Sequence, residues 1–148
     1  MFEKFGEMGS YEELDTLAKN LWKEGDTEGL KALCEENGLD YQDIEDAAND
    51  GIELWIPPTM AAIGRISAEQ KQKPGNTPMI LFEMAKTMAA ADAKTAQIFL
   101  AKGKSIAGVY KKLEDIARKN KTGNCGVACG TDRELADIIV KYYREAAK

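Results

Sequence analysis

The chain has 148 residues, 44% of them hydrophobic and 30% charged, which is the size and composition of one globular domain held by its own core. It contains no histidine, so the commonest general base, the Ser-His-Asp and Cys-His nucleophile pairs and every imidazole metal site are excluded. The formal charge of −5 is an average over two unlike parts: residues 1–55 carry sixteen acidic groups against four lysines (net −12), and residues 56–148 carry nine against sixteen (net +7).

Residues 1–9 are expected to form a flexible lead. Ser10-Tyr11-Glu12-Glu13 is a capping box, with the Ser10 hydroxyl accepting from the Glu13 amide and Glu13 reaching back to Ser10. It opens a first helix whose Leu14, Leu17, Ala18, Leu21 and Trp22 share one face and which stops at Gly25. Asp26 or Thr27 caps a second helix, with Leu30, Leu33 and Cys34 inward, ending at Gly38. Asp40 caps a third, with Ile44, Ala47 and Ala48 inward, ending at Gly51. Ile52 to Ile56 alternates like a strand but has no partner run, so it is read as a connector.

Pro57-Pro58 suits the first turn of a fourth helix, expected from about Thr59 to Lys71. Pro74-Gly75-Asn76 turns the chain. Thr77 then caps a fifth helix with Pro78 in its first position, and the Met79, Met84 and Met88 stripe fills core. Asp92 caps a short helix that ends at Gly103, and Ser105 caps the helix carrying Ile106, Val109, Tyr110, Leu113 and Ile116. Lys121 to Gly130 has no period and reads as a loop. A second capping box, Thr131-Asp132-Arg133-Glu134, opens the terminal helix. The expected fold is a single all-α domain, a compact bundle of roughly seven or eight helices with no significant sheet.

No apolar run exceeds four residues, so no membrane span is expected. The first thirty residues lack an apolar signal region, and three cysteines suit a reducing interior, which together point to the cytoplasm. Gly103-Lys104-Ser105 resembles the end of a phosphate loop, but the glycine required five positions earlier is Ile98, and a helix stop followed by a cap is the better reading. Cys125 and Cys129 are spaced like half a metal knuckle; with only Cys34 to add, free thiols are favoured over a metal or redox pair. No catalytic residue, metal or cofactor is expected.

Two charged stretches are candidate binding surfaces. One is the acidic row Glu35, Glu36, Asp40, Asp43, Glu45, Asp46 and Asp50. The other lies within the stretch from Lys86 to Lys121, net +6, at Lys102, Lys104, Lys111, Lys112, Arg118 and Lys119. The basic stretch lacks interleaved exposed aromatics, so base stacking is not signalled, and a solvated face and a nucleic-acid contact stand level as readings of it. Tyr142 or Tyr143, if exposed, offers a route to self-association.

Glu24-Gly-Asp-Thr-Glu-Gly-Leu-Lys-Ala-Leu33, Glu36-Asn-Gly-Leu-Asp40, Ile44-Glu-Asp46 and Pro58-Thr-Met-Ala-Ala-Ile-Gly-Arg65 resemble the N-terminal half of the PcfK-like proteins. These are small proteins of bacterial conjugative and prophage elements that include the anti-CRISPR group of Cas9 inhibitors. Lys102-Gly-Lys-Ser-Ile-Ala-Gly108 is similar to the family's internal helix start, and Ile138-Ile-Val-Lys-Tyr-Tyr143 to its terminal segment. The resemblance implies a non-enzymatic inhibitor that binds a CRISPR effector nuclease with its guide RNA and blocks target-DNA binding or cleavage. Nucleases of this type hold nucleic acid in positively charged channels, where a row of carboxylates competes with phosphates. The alternative is a nucleic-acid-binding accessory protein of a mobile element that uses the basic set.

Overall fold

The computed structural model describes residues 2–72, 75–120 and 131–145. Among them it contains eight helices and no strand: α1 (Tyr11–Lys23), α2 (Thr27–Glu36), α3 (Tyr41–Asn49), α4 (Pro58–Lys71), α5 (Met79–Ala91), α6 (Ala93–Ile98), α7 (Ile106–Lys119) and α8 (Asp132–Arg144). The fold is therefore an all-α bundle. Cys125 and Cys129 lie outside the described residues, while Cys34 is a buried free thiol.

Most helix starts follow their capping residues. Ser10, Asp26, Asp40, Asp92, Ser105 and Thr131 each accept a first-turn amide, at 3.2, 2.9, 2.9, 2.8, 3.0 and 3.1 Å. Two details differ from expectation. Glu13 reaches back to the Gly9 amide at 3.0 Å rather than to Ser10. Pro78, not Thr77, is the N-cap of α5, whose first helical residue is Met79.

The centre of the bundle is α4, packed against α5, α6 and α1. Its inward residues are small: Ala61, Ala62, Gly64 and Ala68 are buried along with Ile66 and Arg65. Small side chains let neighbouring backbones come close, since interhelix distance depends on the residues at the contact. The approach is tightest at Gly64, where an added Cβ would lie 2.4 Å from the Asn37 carbonyl oxygen in the α2–α3 turn. In α5 the buried residues are Leu81, Phe82, Ala85 and Ala89. Met84 and Met88 pack at the edge of the core, but Met79 is 68% exposed. Two positions before Leu81, Met79 is rotated about 200° from it and points to solvent.

The segment before α1, expected as a flexible lead, is tied across the bundle. The Lys4 and Phe5 amides donate to the Glu36 carboxylate. Glu7 pairs with Arg65 and accepts from the Gly103 amide at 3.2 Å. At the other end of the chain, Tyr143 is buried edge-to-face on Phe99, centroids 4.9 Å apart. Tyr142 is half-buried, and its hydroxyl accepts from the Ser105 amide at 3.4 Å. Neither ring is the exposed face that self-association was expected to use.

The connector between α3 and α4 is fixed by one carboxylate. The Trp55 and Ile56 amides donate to Asp15 Oδ1 at 2.8 and 2.9 Å, and Lys19 pairs with Asp15 Oδ2 at 2.8 Å. Asp15 itself is 5% exposed. Trp22 and Trp55 meet edge-to-face at 6.0 Å beside it.

Candidate functional site

The acidic row follows one edge of the molecule, from the last turn of α2 through Gly38 to the end of α3. Its members have different fates. Glu36 is half-buried and committed to the Lys4 and Phe5 amides. Asp40 is exposed and caps α3. Asp43, Asp46 and Asp50 fall at i, i+3 and i+7, a single stripe of exposed carboxylates. Glu45 is half-buried and off that stripe. Glu35 is exposed at the end of α2.

No ion pair among the described residues engages Glu35, Asp40, Asp43, Glu45, Asp46 or Asp50. Glu35, Asp46 and Asp50 also oppose the helix dipoles, whereas Asp40 and Asp43 stand at the N-terminus of α3 and follow its dipole. Glu35 and Glu36 sit in the last turn of α2, and Asp46 and Asp50 at the end of α3, with no basic residue in either last turn. Each such carboxylate costs roughly 0.3–1 kcal/mol relative to the opposite charge preference. The dipoles do not explain why Glu35, Asp46 and Asp50 are acidic.

The basic set is more dispersed and more occupied. Lys112 pairs with Glu145 at 3.7 Å and Arg118 with Asp115 at 3.5 Å. The Lys104 ammonium lies 4.6 Å over the Tyr142 ring. Lys102, Lys111 and Lys119 are exposed, but they are spread from the turn before α7 to its last residue, about 20 Å along the helix. Only a long ligand would touch all three.

A third cluster, at the N-terminus of α7, was not anticipated as a site. Arg65 on α4 is 8% exposed and carries the Phe2 ring 5.4 Å from its guanidinium carbon. One turn later, Glu69 accepts from the Ile106 and Ala107 amides at 2.9 and 3.0 Å, capping α7 from a different helix. A signal was present in the sequence: Arg65 is the only charged residue between Met60 and Ala68, and a helix apolar on all sides is a buried one.

Burial raises the Glu69 pKa above the ordinary carboxylate value, against the opposing pull of its two amide donors and Arg65. The folded protein therefore holds the Glu69 proton more tightly than the unfolded chain does. Its contribution to stability is fully present below the unfolded value of 4.5 and is lost as pH rises through the folded value. Urea unfolding at several pH values should show wild-type stability falling above pH 4.5 relative to Glu69→Gln. Parallel profiles would contradict this.

The described residues thus define an eight-helix bundle with an acidic edge that no ion pair among them engages, a dispersed basic helix and a polar cluster closed by the N-terminal segment. No family model, curated protein or solved structure matches the chain. Among the described residues no helix is long and apolar enough to cross a membrane.

Proposed function

We propose that the protein is a stoichiometric, non-enzymatic binding protein of the anti-CRISPR kind, which occupies a positively charged nucleic-acid channel of a guide-loaded Cas9-type nuclease with its acidic edge. The resemblance to PcfK-like proteins supplies the target class. The surface is supplied by one observation: Glu35, Asp40, Asp43, Asp46 and Asp50 are exposed, and no ion pair among the described residues engages them. Carboxylates held on helices and unneutralised, three of them (Glu35, Asp46 and Asp50) set against the dipoles, suit a role as phosphate substitutes. The basic set supports the accessory-factor alternative less well, because Lys112 and Arg118 already have acidic partners.

The test is a cleavage assay in which the protein is titrated into guide-loaded nucleases before or after target DNA. Inhibition is expected only when the protein is added first. The Asp46→Lys/Asp50→Lys variant should lose at least about tenfold in potency. It places positive charge at the end of α3, where the dipole favours it, so the loss would not arise from unfolding. Absence of inhibition across a panel of effectors would overturn the reading. Salt-dependent binding to bare DNA or RNA, abolished by neutralising Lys102, Lys111 and Lys119, would replace it with the accessory-factor alternative.

A further inference from the structure

A cavity of about 280 Å3 lies between the N-terminal segment, α4, the α6–α7 turn and α8, with Phe2, Arg65, Ile66, Phe99, Lys104 and Tyr143 in its lining. Its wall combines apolar and aromatic surface with two cations, Arg65 and Lys104, and two carboxylates, Glu7 and Glu69. A dry cavity of about 150 Å3 accommodates a benzene ring, so this one has room for a ring and a small charged group. It lies at the low end for a ligand pocket, about 300 Å3 and upward.

The Arg65 side chain is only 9% exposed. Its Nη2 donates to Glu7, but Nη1 is buried and has no hydrogen-bond partner among the described residues. A buried donor of this kind costs about 1–3 kcal/mol until it is given an acceptor. The nearby carboxylates do not meet the demand. Glu7 is shared between Nη2 and the Gly103 amide, and Glu69 is engaged by the first two amides of α7. Lys104, half-buried over Tyr142, supplies the second cation.

We propose that this cavity binds a small aromatic monocarboxylate, with the carboxylate on Arg65 Nη1 and Lys104 and the ring against Phe2, Ile66 and Phe99. A planar carboxylate matches the guanidinium fork, and the apolar remainder of the wall favours a ring over a bare inorganic ion. Phe2 covers the guanidinium, so entry requires that ring to lift. The backbone anchors that follow Phe2 are the Lys4 and Phe5 amides. The site is independent of the acidic edge.

Benzoate is the probe, titrated into isotope-labelled full-length protein and followed by amide chemical shifts. Saturable shifts are expected at Phe2, Arg65 and Gly103 to Ser105. Lys104→Gln should weaken binding about tenfold through loss of the charged partner, and Lys111→Gln should leave it unchanged. Benzyl alcohol and inorganic phosphate should each bind at least about tenfold more weakly than benzoate. No saturable shift with benzoate at millimolar concentration would overturn the proposal. Equal binding of benzyl alcohol would reduce the site to an apolar void, equal binding of phosphate would reduce it to general anion attraction, and full affinity in Lys104→Gln would remove the assigned carboxylate contact. Each of these outcomes also rejects it.

Discussion

Gly38→Ala should be the most damaging single methyl addition among the described glycines, lowering stability by about 4 kcal/mol. Two costs add at that position. Gly38 has φ +66°, and an alanine held there pays about 1–2 kcal/mol for the left-handed conformation. The added Cβ would also lie 2.0 Å from the Gly64 carbonyl oxygen, a contact with backbone that no side-chain rotation relieves, adding about 1–3 kcal/mol of overpacking.

Gly64→Ala isolates the second cost. It gains about 1 kcal/mol of helix propensity, yet its Cβ would meet the Asn37 carbonyl oxygen at 2.4 Å. A net loss of up to about 2 kcal/mol is expected, against the sign that propensity alone predicts. Gly51→Ala isolates the first cost, since Gly51 has φ +70° with nothing within 4 Å of the new methyl; it should cost about 1–2 kcal/mol. Urea midpoints at constant slope should therefore place Gly38→Ala below both Gly51→Ala and Gly64→Ala, with each of those below wild type. A Gly64→Ala protein more stable than wild type would mean that the α2–α3 turn does not rest on α4.

The contrast between Gly38 and Gly64 marks how far the chain can be read without coordinates. Gly38 was recognisable as a helix stop because the signal is local: an apolar period ends and a glycine follows. Its second role, and Gly64's only one, depends on two segments meeting across the bundle. The same division runs through the charged residues. The Asp43, Asp46 and Asp50 stripe follows from helical spacing, whereas Glu36 lies in the same acidic run and is spent on the Lys4 and Phe5 amides more than thirty positions away. Capping serines and aspartates were legible because their partners are three residues away or fewer. Glu69 caps α7 across 37 positions, and no spacing rule reaches that far. Arg65 was visible as an isolated charge in an apolar helix, but the cavity beside it is formed by four separate parts of the chain.

Asp15→Ala should lower stability by about 3 kcal/mol, with most of the loss arising from the connector rather than from the broken ion pair. Removing the carboxylate leaves the Trp55 and Ile56 amides without their acceptor, and a stranded buried N–H costs about 1–3 kcal/mol. The Lys19 side chain is 31% exposed, so its ammonium turns to solvent, and Lys19→Met should cost no more than about 1 kcal/mol. Asp15→Asn keeps an oxygen for the two amides and gives up the charge, so it belongs between them, at about 1–2 kcal/mol. This order separates the two roles: an ion pair acting alone would make the Asp15→Asn and Lys19→Met losses equal. The chain's two tryptophans, Trp22 and Trp55, meet at this junction, so intrinsic fluorescence reports directly on it. In Asp15→Ala the emission should shift to the red under native conditions, before the far-ultraviolet helix signal is lost. Unchanged emission together with an unchanged urea midpoint would show that Asp15 does not hold the connector. The effect also bears on the acidic edge, because this connector continues directly from the end of α3 that carries Asp46 and Asp50.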